Sequence, residues 1–210
     1  MIFSKPTTLL FVGDSITDCG RDRDSGGRDL GAGYVAQVHA LLGAHHPQAR
    51  VRFLNTGISG NRVTDLERRW DQDVLAHQPD WVSLMIGIND VWRQFDDPLS
   101  EQVSQQAYSE KLEALIQRTL PTVEGMIVLS PFFLETNQAD PMRAMMDRYR
   151  AAAMAVAERN GVRFVDIQAA FDTWLCHNPT QLLCGDRVHP NLVGHNIIAS
   201  AFLNALGFEW

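Results

Sequence analysis

Residues 7–15 read Thr-Thr-Leu-Leu-Phe-Val-Gly-Asp-Ser. The β-branched and aromatic side chains of Thr7–Val12 predict a buried strand, and Gly13 permits a tight turn into a following helix. Similar short apolar runs recur along the chain, at Val51–Asn55, Trp81–Ile86, Met126–Ser130 and Arg163–Asp166. The chain therefore contains a strand followed by a polar turn, repeated five times over.

Longer stretches with helical spacing separate these runs. The first three are Tyr34–Leu42, Val63–His77 and Ser104–Leu120. The fourth carries apolar residues at intervals of three and four, namely Met142, Met145, Met146, Tyr149, Ala153 and Val156. A methionine stripe of this kind is typical of core packing more often than of a cofactor groove. A last helix follows Pro190, which suits a first helical position, and we expect it to bury one face, made of Val193, Ile197, Ala201 and Ala205.

Strands that alternate with helices predict a parallel sheet covered on both faces. We expect a three-layer α/β/α fold with a five-stranded parallel sheet, in a single domain over residues 1–210. No linker rich in Gly, Pro or Ser interrupts the pattern.

Composition excludes several classes of protein. The chain of 210 residues is 45% apolar and 20% charged, which is typical of a globular protein and not of a disordered chain or coiled coil. A net charge of −7 disfavours nucleic acid and anionic membranes as partners, because both require a basic surface.

Cysteine usage and the N-terminus indicate a reducing, cytoplasmic location. Cys19, Cys176 and Cys184 are odd in number and fit neither a disulfide framework nor a CxxC metal pair. The apolar stretch near the N-terminus is too short for a signal peptide, and no run of 18 apolar residues predicts a membrane span.

Polar segments follow the predicted strands, and in parallel sheets the carboxyl ends of the strands form the working edge. Those after the first three strands are Gly-Asp-Ser-Ile-Thr-Asp at 13–18, Asn-Thr-Gly-Ile-Ser-Gly-Asn at 55–61 and Gly-Ile-Asn-Asp at 87–90, and a fourth polar segment, Asp-Arg-Val-His-Pro at 186–190, precedes the last helix. Together they supply a nucleophile, a base, an orienting carboxylate and oxyanion donors, which is the inventory for acyl transfer.

Ser15, Asp186 and His189 are the candidate catalytic residues. A serine after a strand is more often an N-cap, and an Asp-x-x-His pair is more often a surface ion pair. The Asp186 carboxylate can nevertheless reach Nδ1 of His189 and leave Nε2 free as a base. A phosphate cradle at the first loop is disfavoured by the negative charges of Asp14 and Asp18.

The oxyanion hole is predicted from Gly60, Asn89 and the backbone N–H of Ser15. Gly60 could be only a turn residue and Asn89 only an Asx-turn former. If the two residues are oxyanion donors, Gly60 has no side chain to keep its N–H away from the acyl oxygen. The Asn89 side-chain amide can donate a hydrogen bond at any pH because it carries no charge and does not ionise. Asp14 and Asp90 are interpreted mainly as loop braces.

Three residues next to these segments are candidate substrate contacts: Asp14, Trp92 and Val188. Trp92 could serve as a platform for a sugar ring or pack as an ordinary core residue. The remaining histidines show no ligand spacing, so neither a metal nor a cofactor is expected, and structural roles are assigned to His39, His77, His177 and His195.

In order and spacing these segments resemble the blocks of the SGNH, or GDSL-type, hydrolase family, over nearly the whole chain. The resemblance implies a flavodoxin-like fold and serine esterase chemistry without a metal, with Ser15 as nucleophile, His189 as base and Asp186 as its partner. Residues 13–21, 57–61, 86–94, 140–143 and 207–210 further resemble intracellular acetylxylan esterases of the family. Some of those relatives carry a tryptophan where this chain has Gly185.

The resulting expectation is a serine esterase that removes acetyl groups from carbohydrate esters such as acetylated xylo-oligosaccharides. Its partner would be a small-molecule or oligosaccharide ester, and a homo-oligomer is possible. The alternatives are a lysophospholipase or thioesterase of the same family and, from another class, an inactive carbohydrate-binding protein.

Overall fold

A computed structural model describes residues 5–210 and contains the predicted sheet. Its strands are β1 (Thr7–Gly13), β2 (Val51–Asn55), β3 (Trp81–Met85), β4 (Gly125–Leu129) and β5 (Arg163–Val165). Neighbouring strands pair in parallel in the order β2-β1-β3-β4-β5. This is the flavodoxin-like strand order, so the predicted fold class is confirmed.

Helices cover both faces of the sheet. They are α1 (Ser15–Asp18), α2 (Tyr34–His45), α3 (Val63–Asp73), α4 (Ile88–Asp96), α5 (Gln105–Thr119), α6 (Pro141–Arg159), α7 (Ile167–Leu175) and α8 (Leu192–Ala205). One group of mutually packed helices consists of α2, α7 and α8, and the other of α3, α5, α6 and α4.

The core lies between the sheet and these helix layers. Leu9, Leu10, Phe11 and Val12 of β1 are all fully buried, because the central strand has helices on both sides. The predicted methionine stripe of α6 packs into the same core, and Met146 is fully buried. The stripe is therefore core packing, as expected from its spacing.

Two helices were not predicted from the sequence. Helix α4 begins inside the Gly-Ile-Asn-Asp segment, which the sequence suggested was a loop, and α7 begins directly after Asp166. Asp166 was assigned to the end of a strand, but its carboxylate accepts a hydrogen bond from the Ala169 N–H and caps α7. Only one or two residues separate each helix from the strand before it. The apolar residues at the helix start therefore continue the apolar pattern of the strand, and the sequence does not show where one ends and the other begins.

The last helix starts later than predicted and buries a different face. Its first residue is Leu192, not Pro190, and the side chain of its N-cap Asn191 accepts hydrogen bonds from the N–H groups of Val193 and Gly194. Val193 is 50% exposed, whereas the buried residues are Gly194, His195, Ile198, Ala199, Phe202 and Leu203. The helix is apolar on more than one side, and the face with the large Phe202 side chain faces the core.

No helix among the described residues is long and apolar enough to cross a membrane.

Candidate active site

Ser15 lies at the carboxyl end of β1, next to the end of β3. A Cβ atom on Gly13 would lie 2.3 Å from the Met85 carbonyl oxygen, so only glycine allows the two strands this approach. Asp14 then caps α1 by accepting a hydrogen bond from the Ile16 N–H at 3.0 Å. Ser15 is the first residue of this helix, where a backbone N–H has no acceptor within the helix. Its N–H is thus available to a ligand.

Ser15, His189 and Asp186 form a continuous hydrogen-bonded chain, called the triad below. Ser15 Oγ lies 2.8 Å from His189 Nε2, and His189 Nδ1 lies 2.7 Å from Asp186 Oδ2. A carboxylate only accepts hydrogen bonds, so Nδ1 carries the hydrogen and Nε2 accepts from the serine hydroxyl. This is the arrangement in which a histidine can remove the hydroxyl proton.

The Asp186 carboxylate is held by its own loop. Oδ1 accepts hydrogen bonds from the backbone N–H groups of Val188 and His189, both at 2.9 Å, and lies 2.9 Å from Cys184 Sγ. Burial raises the pKa of Asp186, but the hydrogen bonds from Cys184, His189 and Val188 outweigh it and hold the pKa well below its ordinary value. Asp186 is therefore ionised at neutral pH, as a partner for His189 must be.

Gly60 and Asn89 face Ser15 across the same cavity. Gly60 has a φ of +83°, a conformation that favours glycine, at the turn after β2. Asn89 lies in the first turn of α4, and its Nδ2 donates to the Asn61 carbonyl oxygen at 3.0 Å. Because a side-chain amide has two N–H groups, the second can donate to a ligand in the cavity.

Arg69 of α3 ties these segments together, and the sequence did not suggest it. Its guanidinium donates to the carbonyl oxygens of Gly13 at 3.0 Å and Thr56 at 2.7 Å. It also donates to Asn61 Oδ1 at 2.6 Å and pairs with Asp73 at 2.8 Å. One side chain therefore links the loop of Ser15 to the loop of Gly60.

A cavity of about 510 Å³ opens at the triad. Its walls include Ser15, Gly60, Asn89, Trp92, Arg93 and His189, together with Cys19 and His195. The Trp92 and His189 rings are 5.9 Å apart, so the tryptophan flanks the reacting groups. Ser15, His189, Gly60 and Asn89 thus line one cavity, which is large enough for a sugar-sized ligand, and Asp186 reaches it through His189.

A family model described as GDSL-like Lipase/Acylhydrolase matches residues 11–197. The chain belongs to the GDSL-like lipase/acylhydrolase family. It is a carboxylic ester hydrolase, so the predicted family and class of enzyme are confirmed.

Individual members of the family are close in sequence and structure. An acetylxylan esterase from Geobacillus stearothermophilus is 50% identical over 207 residues, which cover 96% of this chain and 94% of that protein. The crystal structure of Axe2, an acetylxylan esterase from the same organism, is 48% identical with a TM-score of 0.97, covering 100% of this chain and 98% of its own. LAE5, an alpha/beta hydrolase enzyme from the metagenome of Lake Arreo in Spain, is 50% identical with a TM-score of 0.96, covering 98% and 97%.

Two candidate substrate contacts of this hydrolase do not reach the cavity. Asp14 and Val188 are each only 1% exposed. The Asp14 side chain turns back to cap α1, and Val188 packs into the core. Neither has surface for a substrate, so of the three candidates the structure places only Trp92 at the cavity.

The braces Asp14 and Asp90 are buried carboxyl groups. Burial raises the pKa of each to about 7, and the charge of Asp14 contributes to the rise at Asp90. Asp90 accepts from the Val63 N–H at 3.1 Å, which joins α4 to the start of α3. The interpretation of Asp90 as a brace therefore agrees with its contacts.

His195 and Cys19 also line the cavity, although the sequence suggested only a structural histidine. The Tyr34 backbone N–H donates to His195 Nδ1 at 3.1 Å, and Nε2 lies 3.4 Å from Cys19 Sγ. Burial, aided by the nearby charge of His189, lowers the pKa of His195 to about 4. His195 is consequently neutral at physiological pH. The sequence did not indicate that it lines the cavity, because it lies outside the four polar segments.

Gly185 lies in a second cavity of about 460 Å³, which is lined also by Cys184, Glu135 and Arg187. A Cβ atom added to Gly185 would meet no atom within 4 Å. A side chain at this position, such as the tryptophan of some relatives, therefore starts in open space.

Among residues 5–210, no group of three or more His, Cys, Asp or Glu side chains is arranged to hold a metal ion.

Proposed function

We propose that this hydrolase removes short acyl groups, acetyl in particular, from carbohydrate esters such as acetylated xylo-oligosaccharides, through an acyl-enzyme. The observation that carries the proposal is the hydrogen-bonded chain from Ser15 through His189 to Asp186, which opens into a cavity flanked by Trp92. The 50% sequence identity to an acetylxylan esterase supports acetylated carbohydrates as the substrate class.

In the first half of the reaction, Ser15 Oγ attacks the acyl carbon. Its proton moves to His189 Nε2 as the Oγ–C bond forms, and Asp186 stabilises the imidazolium through Nδ1–H. The carbonyl oxygen becomes negatively charged and receives hydrogen bonds from the Ser15 N–H, the Gly60 N–H and Asn89 Nδ2.

The tetrahedral intermediate then collapses. The bond between the acyl carbon and the sugar oxygen breaks, and His189 donates its proton to that oxygen, so the sugar leaves as an alcohol. In the second half, water attacks the acyl-Ser15 ester, His189 accepts the water proton, and return of that proton to Oγ releases the carboxylic acid.

The exposure of the triad supports a short acyl group. The side chains of His189 and Asp186 are 45% and 44% exposed, so the site is open to solvent. Each added methylene contributes about 0.8 kcal/mol of binding only where it is buried. A long acyl chain would remain in water here and gain little.

Trp92 and Arg93 provide the surface for the sugar. Trp92 is half-buried and presents a ring beside His189, while the Arg93 guanidinium lies 5.8 Å from the Trp92 ring centroid. A sugar ring stacks on an aromatic face through its C–H groups, and a guanidinium donates to its hydroxyl oxygens.

The test is a series of nitrophenyl esters from C2 to C10, followed by acetylated xylo-oligosaccharides and an acyl thioester. We expect kcat/KM to fall steeply beyond the acetate ester, and the oligosaccharides to be deacetylated. A maximum at C8 or longer, or a preference for the thioester, would replace this proposal with a lysophospholipase or thioesterase. No hydrolysis of any ester would leave a carbohydrate-binding protein.

A reducing, cytoplasmic location belongs to the same proposal. Cys19, Cys176 and Cys184 are all unpaired, which agrees with a compartment that keeps thiols reduced. Fractionation of the producing cell tests the location. Assembly into a homo-oligomer stays a prediction, which light scattering of the purified protein tests.

A further inference from the structure

Cys184 lies directly behind the carboxylate of Asp186. Its Sγ is 2.9 Å from Asp186 Oδ1, while the other oxygen, Oδ2, faces His189 Nδ1 at 2.7 Å. The Cys184 side chain is buried, with 7% exposure, and its backbone N–H donates to the Thr180 carbonyl oxygen at 3.0 Å. The thiol thus contacts the carboxylate oxygen that does not face His189.

The direction of this hydrogen bond follows from its surroundings. Burial raises the pKa of the Cys184 thiol to about 11, and its hydrogen bond to Asp186 contributes. The thiol therefore keeps its proton at neutral pH. Because an ionised carboxylate has no hydrogen to donate, the S–H group is the donor and Asp186 the acceptor.

We propose that Cys184 is a positioning residue for ester hydrolysis: its S–H holds the Asp186 carboxylate in the orientation that directs Oδ2 at His189. This inference rests on the proposed triad. Its consequence is that His189 Nε2 stays aimed at the Ser15 hydroxyl.

The need for a third donor comes from the exposure of Asp186. The carboxylate side chain is 44% exposed, so water competes for its oxygens and favours rotation. With Cys184, Oδ1 accepts three hydrogen bonds, the other two coming from the backbone N–H groups of Val188 and His189. A rotation that moved Oδ2 away from His189 would break all three.

No cationic side chain among residues 5–210 donates to Asp186 in place of the thiol. Arg187 is adjacent in sequence, but its guanidinium pairs with Glu135 at 2.8 Å and Asp140 at 3.5 Å. Within the described part of the chain, Cys184 and His189 are the only side chains that donate to the Asp186 carboxylate. The thiol is the only one of the two that is not itself part of the triad.

The first experiment compares Cys184→Ala, which removes the donor, with Cys184→Ser, which keeps an O–H donor in the same place. Cys176→Ala is the matched control, because Cys176 is exposed and outside the site. We expect Cys184→Ala to lower kcat for nitrophenyl acetate about tenfold with KM unchanged, the scale of a hydrogen bond to a charged group. Cys184→Ser should recover most of the loss, and Cys176→Ala should behave as wild type.

The pH profile distinguishes positioning from simple loss of packing. Without the S–H, the carboxylate can rotate so that Oδ2 leaves Nδ1, and the protonated form of His189 loses part of its stabilisation. The acid limb of kcat/KM should therefore move to lower pH in Cys184→Ala and return in Cys184→Ser. Asp14 and His195 are the other ionisable groups whose charges interact with His189, and both are unchanged in the two variants.

A double-mutant cycle with Asp186→Ala completes the test. If Cys184 acts through Asp186, Cys184→Ala should cause no further loss in the Asp186→Ala background. Equal losses in both backgrounds, or wild-type kcat in Cys184→Ala, would overturn the proposal.

Two further outcomes are separable. High activity of Asp186→Ala alone would overturn the triad itself, whereas loss in Asp186→Ala with wild-type kcat in Cys184→Ala would overturn only the role of the thiol. Thermal unfolding checks that each variant folds. If Cys184→Ala does not fold, Cys184→Val fills a similar volume without a donor and repeats the same comparison.

Discussion

Asn89 donates from Nδ2 to the backbone carbonyl oxygen of Asn61 at 3.0 Å, and this bond joins the first turn of α4 to the loop after β2. Asn61 follows Gly60 directly, so the hydrogen bond fixes two predicted oxyanion donors relative to each other. A preorganised pair of donors does not have to reorient when charge develops on the acyl oxygen.

Replacement of Asn89 by alanine is therefore expected to act on the transition state. We expect Asn89→Ala to lower kcat roughly 10²–10³-fold with little change in KM, because its amide binds most strongly when the oxygen is charged. Steady-state kinetics with nitrophenyl acetate measures both constants, and Asn196→Ala, which changes an exposed asparagine of α8, is the control. A change confined to KM would make Asn89 a substrate-binding residue instead.

Ser15→Ala should abolish ester hydrolysis while leaving the fold intact. The loss is expected to be several orders of magnitude, since members of a triad act as a unit. Activity should be compared with Ser100→Ala, and thermal unfolding should show that the variant folds. Retention of activity within about tenfold of wild type, equivalent to ~1.4 kcal/mol, would exclude Ser15 as the nucleophile.

Arg69 should affect catalysis without contacting the substrate. A lysine at this position keeps the charge but cannot hydrogen-bond to Gly13, Thr56 and Asn61 at once. We expect Arg69→Lys to lower kcat roughly tenfold to a hundredfold, as a small misplacement of reacting groups does. Arg68→Lys, on the exposed side of the same helix, is the matched control. Equal kinetics for the two variants would contradict this role.

The buried carboxyl of Asp90 should make stability depend on pH. Its pKa is raised to about 7 in the folded chain, against about 3.9 in an unfolded one. Between these values the folded state binds a proton that the unfolded state has lost. The stabilisation is fully present below about pH 4 and is lost as pH rises through 7.

The measurement is the free energy of unfolding in urea at pH 5 and at pH 8. Asp90→Asn stays neutral and retains an acceptor for the Val63 N–H, so its stability relative to wild type should be higher at pH 8 than at pH 5. His195 acts in the opposite direction, because its pKa is lowered to about 4 and its contribution is lost as pH falls from about 6.5. The quantity to compare is therefore the difference in the free energy of unfolding between Asp90→Asn and wild type at each pH. Asp24→Asn, which changes an exposed aspartate, is the control. The same difference at pH 5 and pH 8 would refute the prediction.

Neither chelators nor reductants should inhibit the enzyme. The proposed chemistry uses a serine, and its three cysteines are unpaired. Activity after dialysis against EDTA, and after treatment with a thiol reductant, should equal that of untreated enzyme. Loss of activity that is restored by zinc would show that a metal participates.

The strands and the four polar segments were predictable because their signals are local. A strand buried on both faces must be apolar along its length, as in Leu9–Val12, and polar residues must begin where it leaves the core. Parallel pairing then brings the segments after β1, β2 and β3 to one edge, so Ser15, Gly60 and Asn89 could be placed near each other from the sequence alone. His189 precedes α8 and joins them through the resemblance of the four segments to the family. The overlap of strand and helix signals concealed α4 and α7, which begin at or just after a strand end.

Side-chain direction, by contrast, was decided by tertiary structure. Asp14 and Val188 are the sequence neighbours of Ser15 and His189, yet both side chains are buried. Asp14 caps α1, and Val188 packs in the hydrophobic core. Arg69 reaches Gly13 over a separation of 56 residues, and Cys19 meets His195 over 176. Local periodicity carries no information about such contacts. They form only when the packing of α3 and α8 brings the side chains together, and the same is true of the Cys184 thiol, whose role depends on how the loop from 183 to 191 folds around Asp186.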